Sequence, residues 1–233
     1  MTRIIQGVFG FQKRVFGEKE ELFQKLGKGQ NPLALFITCS DSRINPNLLT
    51  QTEPGELFIL RNAGNLVPPS GNGPGGEEAT VEYAIKHLKI KDIILCGHSK
   101  CGAMNGLLSC ALGNPPDPSI PAVNQWLSHA MPISTKVSNK SKEISGDQLL
   151  SYCIEQNVLQ QMENLKTYSS VQSALADGKL RLHSWVYRIE SGEVLAFDME
   201  KQAFVSLDKA KKQTWKETST DKPVVLSEFD ISI

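Results

Sequence analysis

Asp92-Ile93-Ile94-Leu95-Cys96-Gly97-His98-Ser99-Lys100-Cys101-Gly102 carries the strongest pattern in this chain. It opens with a short apolar run ended by Gly97, the pattern of a strand buried on both faces. A helix is predicted to follow from about Gly102 to Leu112. Upstream, Leu33 to Thr38 is a second such run, bounded by Pro32 and by Ser40-Asp41-Ser42, and Leu57 to Leu60 is a third. Gly75-Gly76 precedes a helical stretch from Glu77 to Leu88, with Val81, Ile85 and Leu88 on one face. Downstream, Asp147 to Leu165 carries Leu150, Ile154, Val158, Met162 and Leu165 as one helical stripe. Leu180 to Ile189 reads as a strand, Ser191-Gly192 as a turn, and Val194 to Asp198 as an antiparallel return. Strands alternating with helices imply an α/β fold, a mostly parallel β-sheet flanked by helices on both faces.

Three regions divide the chain. Residues 1–29 form an N-terminal helical arm, in which Ile4, Ile5, Val8, Phe9, Val15, Phe16, Leu22, Phe23 and Leu26 recur at helical spacing. Gly7, Gly10 and Gly17 interrupt it, so two short helices are expected, lying on the protein's own core or across a partner subunit. Residues 30–209 form the α/β domain, and the tail 210–233 is polar and weakly patterned.

Composition narrows the function. The 233 residues carry 25 Lys+Arg and 25 Asp+Glu, a formal net charge of zero, which argues against a nucleic-acid binder. No apolar run approaches the roughly 20 residues that cross a bilayer, and the start reads as no signal peptide, so a cytoplasmic placement is expected. Five cysteines, an odd and sparse set, suit metal binding or burial better than a disulfide framework.

Two of those cysteines stand where ligands collect. His98 and Cys101 lie just past one strand and Cys39 just past another, the edge where open parallel sheets bind ligands. If the strands are neighbours, the three converge, and two thiolates with one imidazole suit zinc while leaving its fourth position open. Cys96, Cys110 and Cys153 fall inside strand or helix patterns and read as packing residues. Asp41 and Arg43, two apart on an extended segment, point the same way. Arg43 can grip the carboxylate with two parallel hydrogen bonds, keeping Asp41 ionised and turned off the metal.

The motifs Cys39-Ser40-Asp41-Ser42-Arg43, Arg61-Asn62-Ala63-Gly64-Asn65 and Gly97-His98-Ser99-Lys100-Cys101-Gly102 resemble those of the β-class carbonic anhydrases. The likeness runs over roughly residues 30–198 and is strongest to the plant-type and cyanobacterial carboxysomal branch. It implies reversible hydration of carbon dioxide to bicarbonate, with one Zn2+ per chain on Cys39, His98 and Cys101. Asp41 and Arg43 would be catalytic, with Asp41 on the metal only in a closed, inactive state. It further implies a substrate pocket of Gln30, Phe58, Ala63, Tyr83 and Gly102, with Gln30 and Tyr83 from the neighbouring subunit of a homodimer or higher even-numbered oligomer. Ala63 replaces the valine of the plant enzymes. Phe36 stands where a second branch carries a tryptophan that helps bind bicarbonate away from zinc, so the open branch is expected. The carboxysome and a shell or scaffold protein are further expected locations and partners. Two thiolates should acidify bound water less than three neutral imidazoles do, so activity should rise with pH. Hydrolysis of carbon disulfide or carbonyl sulfide on the same site, and a structural zinc in a scaffold protein, are the alternatives. His87, His129 and His183 could relay protons, and none is assigned.

Overall fold

The computed structural model describes residues 1–71 and 75–207, so the region 210–233 lies outside the described residues. Six strands form one sheet in the order β2-β1-β3-β4-β5-β6. They are β1 (Ala34–Cys39), β2 (Leu57–Asn62), β3 (Asp92–His98), β4 (Arg181–Tyr187), β5 (Val194–Asp198) and β6 (Ala203–Ser206). Strands β2, β1, β3 and β4 are parallel, while β5 and β6 add antiparallel. Every residue of β1 is buried, and all of β3 beyond Asp92, which is why both read as unbroken apolar runs.

Ten α-helices accompany them among the described residues: α1 (Thr2–Gly10), α2 (Phe16–Glu18), α3 (Glu20–Leu26), α4 (Pro46–Thr50), α5 (Gly76–Lys86), α6 (Gly102–Ala111), α7 (Pro121–Leu127), α8 (Ser134–Lys140), α9 (Gly146–Leu165) and α10 (Ser169–Ala176). The two sheet faces are covered unequally. Leu35, Ile37, Ile93, Leu95 and Val186 share the main core with residues of α5, α6, α8, α9 and α10. On the other face Ala34, Phe36, Ile94 and Cys96 pack with Ile44, Leu49 and Trp185, and α4 is the helix there. Crossover handedness gives the reason. The step from β1 to β2 runs one way along the sheet, and the steps to β3 and β4 run the other way. Right-handed crossovers then place the short α4 on one face and the longer helices on the opposite one.

The arm departs from expectation. The chain is helical from Thr2 through a π-helical stretch, Phe11–Val15, to Glu18, and it breaks at Lys19 (φ −120°) rather than at a glycine. Glycine weakens a helix by about 0.5–1 kcal/mol and does not by itself end one. No residue of α1–α3 is buried, and Ile4 and Phe9 are 66% and 56% exposed. The arm touches the domain where Lys19 pairs with Glu53 and where Leu26 lies against Gly55.

Candidate metal centre

Cys39 is the last residue of β1 and His98 the last of β3, and these strands are neighbours, with Thr38 opposite Cys96. The chain leaves β1 toward β2 and leaves β3 toward β4, so the two carboxyl ends flank the sheet's switch point. Cys101 follows over a two-residue turn and caps the start of α6. The donor atoms of Cys39, His98 and Cys101 lie within 4.8 Å of one another, all buried, with the two Sγ atoms 3.9 Å apart.

These residues fit a zinc ion. His98 Nδ1 is 2.9 Å from the Ser99 carbonyl, which only an N–H can satisfy, so Nε2 carries the lone pair. That Nε2 is buried without a hydrogen-bond partner, a costly arrangement that a cation relieves. The two thiols share one proton across 3.9 Å, and the contact with Cys101, against the opposing effect of burial, draws the Cys39 thiol well below its ordinary range. The Gly64 N–H, 3.3 Å from Cys39 Sγ, adds to this. Cys101 moves the opposite way, because it holds the proton that Cys39 shares. A metal ion displaces that proton. Cys96 and Cys153 are inert by contrast, since burial pushes both thiols up to about 12.

Asp41 and Arg43 meet as anticipated. Arg43 Nε donates to Asp41 Oδ1 at 2.9 Å and Nη2 to Oδ2 at 2.7 Å, and the Arg43 backbone N–H adds a third bond at 3.0 Å. This grip holds the Asp41 carboxyl well below the usual carboxylate range. Asp41 Oδ2 is also 3.8 Å from His98 Nε2, so the carboxylate borders the donor cluster. Arg43 Nη2 reaches the Lys100 carbonyl as well, at 3.0 Å. Lys100 sits in the left-handed region (φ 58°), and one guanidinium thus ties Asp41 to the turn between two donors.

Several supporting residues were not assigned from the sequence. Arg61 donates to three carbonyls of the loop after β1: Nε to Cys39 at 3.1 Å, and Nη2 to Asp41 and Ile44 at 2.8 and 2.9 Å. A buried amide ladder on α9 supports the Gly64 turn. Asn157 donates to the Gly64 carbonyl at 3.0 Å, Gln161 accepts from the Val67 N–H at 2.8 Å, and Asn164 donates to the Val67 carbonyl at 2.9 Å. The signal was present, because these amides lie at 157, 161 and 164, on the face that also holds Ile154 and Val158.

The remaining expected residues fall into two places. Ala63 precedes Gly64 and accepts from Trp126 at 2.8 Å, and Gly102 opens α6 beside Cys101. Phe58 and Tyr83 meet with ring centroids 5.9 Å apart and planes tilted by 35°. Phe58 lies opposite Leu35, whereas Asn62 lies opposite Cys39. Four residues of strand separate them, about 13 Å from the cluster of the same chain. Gln30 is exposed between the arm and β1. His183 binds Asp92 at the far end of the strands, while His87 stacks on Tyr83 and His129 meets Trp126 edge to face.

Fold and site together define a class: an α/β metalloprotein with a Cys-His-Cys cluster and an Arg-held carboxylate at the carboxyl edge of a parallel sheet. Comparison with known proteins makes the class specific. Residues 34–194 match the family model described as carbonic anhydrase. A carbonic anhydrase of Synechocystis sp. is 46% identical over 206 residues, covering 88% of this chain and 74% of that protein. The solved structure of the β-carbonic anhydrase CcaA superposes with a TM-score of 0.83 at 45% identity, covering 88% of this chain and 91% of that one. Two tetrameric β-carbonic anhydrases of Sordaria macrospora are represented by a structure with a TM-score of 0.74 at 26% identity, covering 84% and 95%. The chain belongs to the carbonic anhydrase family, in the cyanobacterial and plant-type branch of its β class. It is a zinc-dependent enzyme of reversible carbon dioxide hydration.

Proposed function

We propose that Cys39, His98 and Cys101 hold the zinc and that Asp41, steadied by Arg43, orients the attacking water. The bidentate grip of Arg43 on Asp41, at 2.9 and 2.7 Å beside a buried donor cluster, carries this reading. When bound, zinc acidifies a coordinated water and so supplies the nucleophile for carbon dioxide near neutral pH. Asp41, ionised and accepting only, can take a hydrogen bond at Oδ2, the oxygen that borders His98, and so aim the water's lone pair. Arg43 keeps that carboxylate paired with itself rather than with the metal. The Gly102 N–H, at the first position of α6, has no intrahelical acceptor and suits an oxygen of bicarbonate.

The working pocket is shared between chains in this reading. Ala63 and Gly102 come from the chain that holds the metal, while Gln30, Phe58 and Tyr83 come from its partner. The span of about 13 Å along β2 and the uncovered apolar stripe of the arm both support it. Phe36, buried against Trp185 with centroids 6.2 Å apart, offers no N–H donor, which supports the permanently open branch. A carboxysomal address with a shell or scaffold partner rests on the sequence resemblance, and cofractionation with shell particles tests it. No helix among the described residues is long and apolar enough to cross a membrane.

Stopped-flow hydration assays of Asp41→Asn, with zinc content measured alongside, test the assignment. The variant should keep its zinc and lose on the order of 100-fold in kcat, the scale of a positioned proton-handling group. Wild-type kcat would end the catalytic role of Asp41. Loss of zinc would make Asp41 a ligand and favour a structural site.

A further inference from the structure

The ring of His98 is held through its neighbour. Its Nδ1–H donates to the Ser99 carbonyl at 2.9 Å, which leaves Nε2 as the donor atom facing the two sulfurs. Ser99 is itself pinned from three directions. Its backbone N–H donates to the Tyr187 carbonyl at 2.8 Å, at the end of β4. Its hydroxyl accepts from the Ile189 N–H at 2.9 Å and donates to Glu190 Oε2 at 2.6 Å. The short O–H···O contact with a carboxylate belongs to the strong, charge-assisted kind. Glu190 lies in the turn after β4, 91 residues from Ser99, on the exposed side of an otherwise buried group.

We propose that Glu190, acting through the Ser99 hydroxyl, is a positioning residue that fixes the tautomer and orientation of His98 for metal binding. The inference rests on the reading of His98 as a zinc ligand. Without the carboxylate, the hydroxyl loses its acceptor and one of the three restraints on Ser99 is gone. The next residue, Lys100, is held at φ 58°, a conformation that persists only when its surroundings enforce it. A looser Ser99 therefore frees the carbonyl that sets the His98 tautomer. Partners of this kind are worth about 10–100-fold in metal affinity.

The test pairs two readouts on Glu190→Ala, Glu190→Gln and Ser99→Ala. Zinc affinity is measured by competition with a chromophoric chelator, and nitrogen-15 spectra of the imidazoles in the metal-free protein report the His98 tautomer without zinc. The alanine variants should bind zinc at least tenfold more weakly and show a mixture of His98 tautomers. Glu190→Gln keeps an acceptor oxygen and should stay within threefold of wild type with the Nδ1–H form intact. Ser99→Ala serves independently should Glu190→Ala fold poorly. Wild-type affinity and a single tautomer in both alanine variants would overturn the proposal. A wild-type protein that binds zinc without shifting the His98 signals would instead overturn the ligand assignment.

Discussion

Gly97→Ala is the most informative single change outside the donor set. Gly97 is the β3 residue just before His98, and α9 crosses the sheet directly over it. A Cβ placed there meets Val158 Cγ2 at 2.8 Å and Ile154 Cγ2 at 3.2 Å, against a comfortable carbon–carbon separation of roughly 3.5–4.0 Å. Val158 cannot turn aside easily, because a β-branched residue in a helix has one strongly preferred rotamer. Relief requires α9 to lift by several tenths of an ångström, and overpacking of this kind costs about 1–3 kcal/mol. For a domain of this size that is a melting temperature lower by about 2–12 °C. Val158→Ala alone removes two buried methyl equivalents, about 1.6 kcal/mol before any cavity term. In the double variant the new methyl fills the vacated space, so the two costs should not add, and a coupling of about 1 kcal/mol or more is expected. Urea unfolding of the two single variants and the double variant measures this. Additive costs, or a Gly97→Ala variant within about 0.5 kcal/mol of wild type, would refute the close contact of α9 with β3 at Gly97.

Asp92 should govern part of the acid sensitivity. Burial alone would raise its pKa, but hydrogen bonds from His183 and Arg181 outweigh burial and draw it from 3.8 to about 2. A depressed folded value stabilises fully above the unfolded pKa and is lost as pH falls through the folded one. The urea midpoint gap between wild type and Asp92→Asn should therefore be widest above pH 4 and narrow toward pH 2. Asn157→Ala removes a buried donor to Gly64 and an acceptor from Gln161, and should destabilise the protein by about 1–3 kcal/mol in thermal or urea unfolding. Ile4→Asp combined with Phe9→Asp should lower the assembly state in sedimentation velocity, because both residues are exposed in the isolated chain.

The sheet centre was legible because β1 and β3 are buried on both faces and so read as apolar runs. The donor cluster was legible because Cys39 and His98 terminate those runs. The unequal faces were not, since strand order, which sets crossover direction, leaves no local trace. The helix α4 had its signals, with Asn45 accepting from the Leu48 N–H and Pro46 at the first helical position, but it spans only five residues. The four-residue edge strand β6 is too short for alternation to show. The apolar stripe of α9 was legible, but the bonds its buried amides Asn157, Gln161 and Asn164 make to the Gly64–Val67 turn join residues more than 90 positions apart and leave no local trace. The pairing of Ser99 with Glu190 joins residues far apart in the chain, and neither has a neighbour in sequence that announces the other.

The coordination sphere of the zinc-loaded protein at pH 8 decides whether Cys39, His98 and Cys101 hold the metal with its fourth position open. X-ray absorption together with a crystal structure should show two sulfurs at about 2.3 Å and one imidazole nitrogen at about 2.0–2.1 Å, from Cys39, Cys101 and His98. The fourth position should hold solvent, with Asp41 still paired to Arg43. Asp41 bound to zinc as a permanent fourth ligand at that pH, or the metal on any other set of residues, would contradict the account.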